Sequence, residues 1–270
     1  MLKRILTAVV LIPVFVALLF LLPPKAFCVL TGIIVLWAAW EWSRLMGLRQ
    51  VKYRAMYPLI LFFLLIASIW LYIPGVIIGA FVWWLVAAFL VICYPKFSQV
   101  WSKSMILRGL MGFVTLIPCW LAINFIRNVP DTGVYVLLFL FVLIWGADSG
   151  AYFAGRRFGK TLLAPDVSPG KTWQGLYGAL IVTGVITLAV LYGTGVPYGL
   201  WFFACLIAIV TVLFSIVGDL FESMLKRNEG LKDSGQLLPG HGGILDRIDS
   251  LTAAAPVFLF GTDLMQKMFS

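Results

Sequence analysis

Histidine, cysteine and charge are all scarce in this chain. One histidine and four cysteines occur in 270 residues, and only 11% of the residues are charged. His241 stands alone, and Cys28, Cys93, Cys119 and Cys205 form no CxxC pair, so a Cys/His zinc site is excluded. The same wide spacing argues against a disulfide scaffold, and each cysteine sits inside an apolar run as a small hydrophobe. An ordinary soluble domain carries about 25% charged residues. A water-soluble globule and a disordered chain are therefore excluded, as is a collagen, and no internal repeat or low-complexity segment is present.

Apolar residues fill the gap: 62% of the chain is hydrophobic and the mean hydropathy is +1.03. Runs approach the roughly 20 residues that cross a bilayer as a helix. They cover residues 5–22, 26–46, 57–73, 76–94, 109–126, 134–154, 174–196, 199–222 and 248–266. The predicted class is an all-α polytopic membrane protein of about nine spans, because an isolated strand leaves its backbone unsatisfied in lipid. Residues 5–22 follow Lys3 and Arg4 like a secretory leader. The run is long, lacks a small-residue cleavage pattern and ends at Pro23 and Pro24, so it is read as a retained first span. Pro74 and Gly75 are expected to turn a tight helical hairpin. Residues 1–108 form an amino-terminal region of about four helices, and residues 109–270 a carboxy-terminal catalytic region of about five.

The net charge of +9 has a topological reading. With nine spans and a cytoplasmic amino terminus, every lysine and arginine except Lys25, Arg127 and Lys267 falls on the inside. That bias predicts an N-in, C-out orientation. Trp37, Trp40 and Trp42, near a span end, read as interface anchors.

The acids are distributed unevenly. Glu41 is the only one in the first 108 residues; it either reaches the site or pairs with Arg44, and the pair is the preferred reading. Asp148 closes the sixth predicted span, Asp219 and Glu222 close the eighth, and Asp246 and Asp249 open the ninth. Ionisable groups at the bilayer edge are unfavourable unless they serve a function. Carboxylates converging from three helices repel one another unless a cation joins them. With oxygen donors only, that cation is a hard ion, Mg²⁺ being expected. Lys226, Arg227, Lys232 and Arg247 suit phosphate oxygens. Glycines at 230, 235, 240, 242 and 243 let the backbone approach an anion closely. The sequence from Gly155 to Thr161 is not a P-loop, since its glycines are too close together and no strand precedes it.

Three blocks carry a resemblance. Ser223, Lys226 and Arg227, then Lys232 and Asp233, then His241, Gly242, Gly243, Asp246, Arg247 and Asp249 resemble the signature of the phosphatidate cytidylyltransferase (CDP-diacylglycerol synthase) family. Asp148–Tyr152 and Ser168–Gly175 resemble its shorter blocks. The resemblance implies an Mg²⁺-dependent transfer of a cytidylyl group from CTP to phosphatidic acid, a step of phospholipid biosynthesis, in a prokaryotic inner membrane. It also implies a homodimer. Within it, Asp219 and Asp246 are expected as principal metal ligands, with Asp249 and Asp148 as further candidates. Lys226, Arg227 and Arg247 are expected to hold phosphates, Ser168, Lys171 and Thr172 to contact one substrate's phosphate, and Lys232 to assist. His241 and Ser223 are expected as hydrogen-bonding groups. Two rivals fit less well. A CDP-alcohol phosphotransferase would carry a DG-x2-AR pattern absent here. A cation or lipid transporter predicts acids near mid-span and an inverted repeat.

Overall fold

The computed structural model describes residues 13–70, 73–237 and 242–269. Residues 13–21 are helical (α1). They are followed by α2 (Pro24–Leu45), α3 (Val51–Ser68), α4 (Ile73–Ile92), a short α5 (Ser98–Ser102), α6 (Met105–Arg127) and α7 (Gly133–Phe158). A hairpin of β1 (Leu162–Ala164) and β2 (Ser168–Thr172) leads into α8 (Trp173–Thr194), a 3₁₀ turn at Tyr198–Leu200, α9 (Trp201–Asn228) and α10 (Leu245–Phe269). Eight helices among the described residues are long and apolar enough to cross a membrane. They match eight of the nine predicted spans; the ninth, 5–22, lies partly outside the described residues.

Two helices run past their predicted span ends: α7 from residue 154 to Phe158, and α9 from residue 222 to Asn228. The ten residues beyond Asp148, at 1.5 Å each, set it about 15 Å inside the end of its helix. Hydropathy falls where charges begin, but the backbone ladder does not stop there. Asp148, Asp219 and Glu222 thus lie within helix bodies, whereas Asp246 stands in the first turn of α10 and Asp249 just after it. The antiparallel β1–β2 hairpin, too short to show a period-2 pattern, was expected only as a polar turn.

Lipid tails are as apolar as leucine, so hydrophobicity alone does not hold such helices together. Close packing and buried polar bonds do. Helix α10 is buried on all faces from Ser250 to Leu259, a stretch that includes Ala253, Ala254 and Ala255. Across from it, Gly218 of α9 lies so near the Asp249 carbonyl that a Cβ there would come within 2.5 Å of that oxygen. Around this pair, Trp42, Trp84, Leu116, Phe221 and Met224 build the main core, with the Trp83 and Trp84 rings edge-on to Phe221.

Polar bonds fix one end of the bundle. The Trp42 indole donates to the Arg108 carbonyl at 2.9 Å, and the Tyr57 hydroxyl to the Gly109 carbonyl at 2.7 Å. Arg108 is itself buried; it pairs with Glu229 and donates to the Leu45 carbonyl at 3.0 Å. This clasp joins the end of α2, the start of α6 and the end of α9. The site lies at that same end.

Candidate active site

The helical repeat puts Asp219, Glu222, Ser223 and Lys226 on one face of α9. Ser223 donates to Asp219 Oδ1 at 3.3 Å. Lys226 Nζ lies 2.5 Å from Glu222 Oε2 on its own helix and 2.6 Å from Asp246 Oδ1 on α10. One ammonium thus neutralises carboxylates from two helices in a place nearly closed to solvent.

Asp246 is the most heavily bonded acid of the site. Besides Lys226, its Oδ2 accepts from the Ser234 amide at 3.0 Å, the Ser234 hydroxyl at 2.9 Å and the Gly243 amide at 2.7 Å. Ser234 and Gly243, on either side of residues 238–241, are therefore held against the first turn of α10. Asp249 lies one turn further on and accepts from the Ser250 amide at 2.7 Å. Lys171 of β2 reaches Asp219 Oδ2 at 2.8 Å, which latches the hairpin to α9.

These groups face a cavity of about 650 Å³. Among the described residues, its polar part is lined by Asp148, Asp219, Asp233, Asp246 and Asp249, with Lys226 and Arg247 as cations. The remainder is apolar, formed by Phe27, Ile34, Val35, Ile123, Phe141 and Trp145 among others. With Lys171 on Asp219 counted, these five carboxylates face three cations among the described residues. The donors are oxygens, which suits a hard ion. Among the described residues, however, no three Asp, Glu, His or Cys side chains form a ready metal cage. Any such ion would complete its shell with oxygens from elsewhere.

Several sequence expectations are redistributed. Asp148, Asp219, Lys226, Asp246, Arg247 and Asp249 are brought together, and Lys171 and Ser223 join through Asp219. Lys226, expected on a phosphate, is instead committed to Glu222 and Asp246. Thr172, also expected on a phosphate, caps α8: its hydroxyl accepts from the Gly175 amide at 3.1 Å. Arg227 lies off the cavity, donating to the carbonyls of Val167 and Leu231 at 3.3 Å each. Ser168 and Lys232 do not line the cavity, and His241 lies outside the described residues.

Glu41 is the largest departure. Its carboxylate does not pair with Arg44; it accepts from Ile244 and Leu245 at the start of α10 and lies beside the Ser234 hydroxyl. Arg44 donates instead to the Ser234 carbonyl at 2.9 Å. Ser234 and Asp233 were also missed as site residues. Asp233 stood within the signature, whereas nothing local marked Ser234.

Comparison with known proteins gives the same direction along almost the whole chain. Residues 2–264 match the model of the cytidylyltransferase family. A phosphatidate cytidylyltransferase of Haemophilus influenzae is 42% identical over 286 residues, covering 96% of this chain and 97% of the relative. The Pseudomonas aeruginosa protein of the same name is 46% identical over 260 residues, with 95% and 94% coverage. A Bacillus subtilis phosphatidate cytidylyltransferase aligns over a shorter stretch, 39% identical over 157 residues and 56% of this chain. This chain belongs to the cytidylyltransferase family.

Proposed function

We propose that this chain transfers the cytidylyl group of CTP to phosphatidic acid, giving CDP-diacylglycerol and pyrophosphate. The observation that supports it best is the double character of the cavity: acids and basic groups at one part, an apolar wall at the other, within a membrane-spanning bundle. Such a space suits a lipid whose phosphate must meet a polar nucleotide while its tails stay in an apolar setting.

Two anions must approach one another, so neutralisation and orientation are the main demands on the site. Asp219 and Asp249 are the residues that would hold Mg²⁺, with Asp148 as a third carboxylate, since Asp246 is already saturated by its bonds. Bound there, the ion would supply charge screening between the phosphates. Substrate oxygens would complete its shell, a common arrangement for Mg²⁺. Arg247 faces the cavity and would bind a phosphate. Lys171, partly exposed beside Asp219, would bind another. Lys226 keeps Glu222 and Asp246 from repelling one another and so keeps the first turn of α10 in place.

The phosphate of phosphatidic acid is already anionic near neutral pH, so no protein base is required. Its oxygen forms a bond to the α-phosphorus of CTP as the bond from that phosphorus to the bridging oxygen breaks, and pyrophosphate leaves. The loop-charge bias supports a site facing the cytoplasm, and the bacterial origin of the relatives supports the inner membrane of a prokaryote as its place.

The test uses purified protein in vesicles containing phosphatidic acid. Pyrophosphate release should require CTP, phosphatidic acid and Mg²⁺ together, and should stop in excess chelator. Equal nucleotide consumption with chelator present, or ion flux without pyrophosphate release, would refute the reading.

A further inference from the structure

We propose that Glu41 is a positioning residue for the reaction: from α2, it holds the start of α10 and the Ser234 loop in the geometry that presents Asp246, Arg247 and Asp249 to the cavity. The inference rests on the proposed reaction for the activity it affects, and on geometry alone for the contact itself.

Glu41 is 2% exposed. Its Oε1 accepts from the Ile244 amide at 3.1 Å and its Oε2 from the Leu245 amide at 2.8 Å, with the Ser234 hydroxyl oxygen 3.1 Å from Oε2. Amides at the start of a helix have no partner within it and carry the positive end of its dipole. A buried carboxylate there satisfies two of them and supplies the charge the dipole favours. The partners stand about 200 positions away in the sequence, so this contact is tertiary in origin.

Two further observations show how closely the loop is fitted to this side chain. A Cβ at Gly235 or at Gly243 would collide with the Glu41 carboxylate. Both glycines therefore give the backbone the room that Glu41 occupies. Ser234 also bridges the two acids, its hydroxyl lying within hydrogen-bond distance of both Glu41 and Asp246. One turn along α2, Arg44 grips the Ser234 carbonyl. Helix α2 thus clamps the loop with an acid and a base, while Asp246 secures it from the cavity side. Glu41 itself does not line that cavity; its effect passes through the α10 turn.

The test is Glu41→Gln. The amide keeps the size of the side chain, but in either orientation its NH₂ faces one of the two backbone donors, and the negative charge is gone. A hydrogen bond to a charged group contributes about 1.5–3 kcal/mol, so amide exchange at Ile244 and Leu245 should accelerate about tenfold or more. In the pyrophosphate assay, kcat should fall by about tenfold or more while KM for CTP changes little. Tyr57→Phe, which removes a buried bond at the start of α6, serves as a control for general destabilisation. The proposal is upheld if Glu41→Gln lowers kcat well beyond Tyr57→Phe after both are corrected for folded fraction. It is overturned if the two lower kcat equally, or if exchange at Ile244 and Leu245 is unchanged. Should the unmodified protein release no pyrophosphate, the proposed reaction falls, yet the exchange measurement still decides the Glu41 contact.

Discussion

Replacing Lys226 by methionine keeps an unbranched side chain and deletes its charge. The ammonium lies 2.5 Å from Glu222 and 2.6 Å from Asp246, and its side chain is 9% exposed. Removing one partner of a buried pair costs about 3–5 kcal/mol, because the charge left behind is neither hydrated nor paired. That corresponds to a factor of about 150 to 5,000 in the folding equilibrium. The damage should be unequal. Asp246 retains Ser234 and Gly243, whereas Glu222 is almost fully enclosed and its Oε1 has no hydrogen-bond partner among the described residues. Lys226→Met should therefore melt at a clearly lower temperature in detergent, and adding Glu222→Gln should recover most of that loss. Pyrophosphate release should stay low in the double variant, since Asp246 still lacks its cation. The reasoning is refuted if Lys226→Met melts with the unmodified protein, or if Glu222→Gln destabilises it further.

Two other substitutions separate roles that the sequence left merged. Asp219→Asn should reduce pyrophosphate release by about 100-fold or more, an effect typical of losing a charge-stabilising group, while melting stays near normal because Asp219 is partly exposed. Near-normal turnover would remove it from the proposed metal set. Thr172→Val should cost about 1 kcal/mol of stability through loss of the α8 cap and leave KM for CTP unchanged; a large rise in KM would return Thr172 to the substrate.

The spans were legible because a bilayer allows little else: each long apolar run had to become a helix. Their ends were less so. Arg156 and Arg157 end the hydropathy signal near Asp148, but they lie on the last turn of a helix that continues to Phe158. The site acids stood out for the opposite reason, as ionisable groups where lipid disfavours them. Their partners could not be read in the same way. Lys226 looks like any phosphate-binding lysine until the fold sets Glu222 and Asp246 around it. Thr172 carries no local mark that separates a helix cap from a ligand contact. Glu41 was conspicuous as the lone acid of the first half, yet a local rule pointed to Arg44 one turn away. Its actual partners follow from α10 packing against α2.

The clamp on α10 has a consequence for synthesis. A chain made from its amino terminus carries Glu41 on α2 long before its partners Ser234, Ile244 and Leu245 exist. Helix α9 enters carrying Glu222 and Lys226 one turn apart, so that pair can neutralise itself without help from later residues. Helix α10 then brings the amides at its start to Glu41 and its aspartates to the cavity together, since both sets sit on the same turn and the next. A chain halted before Leu245 has most of its spans and no working centre, so catalytic competence arrives only with the final insertion.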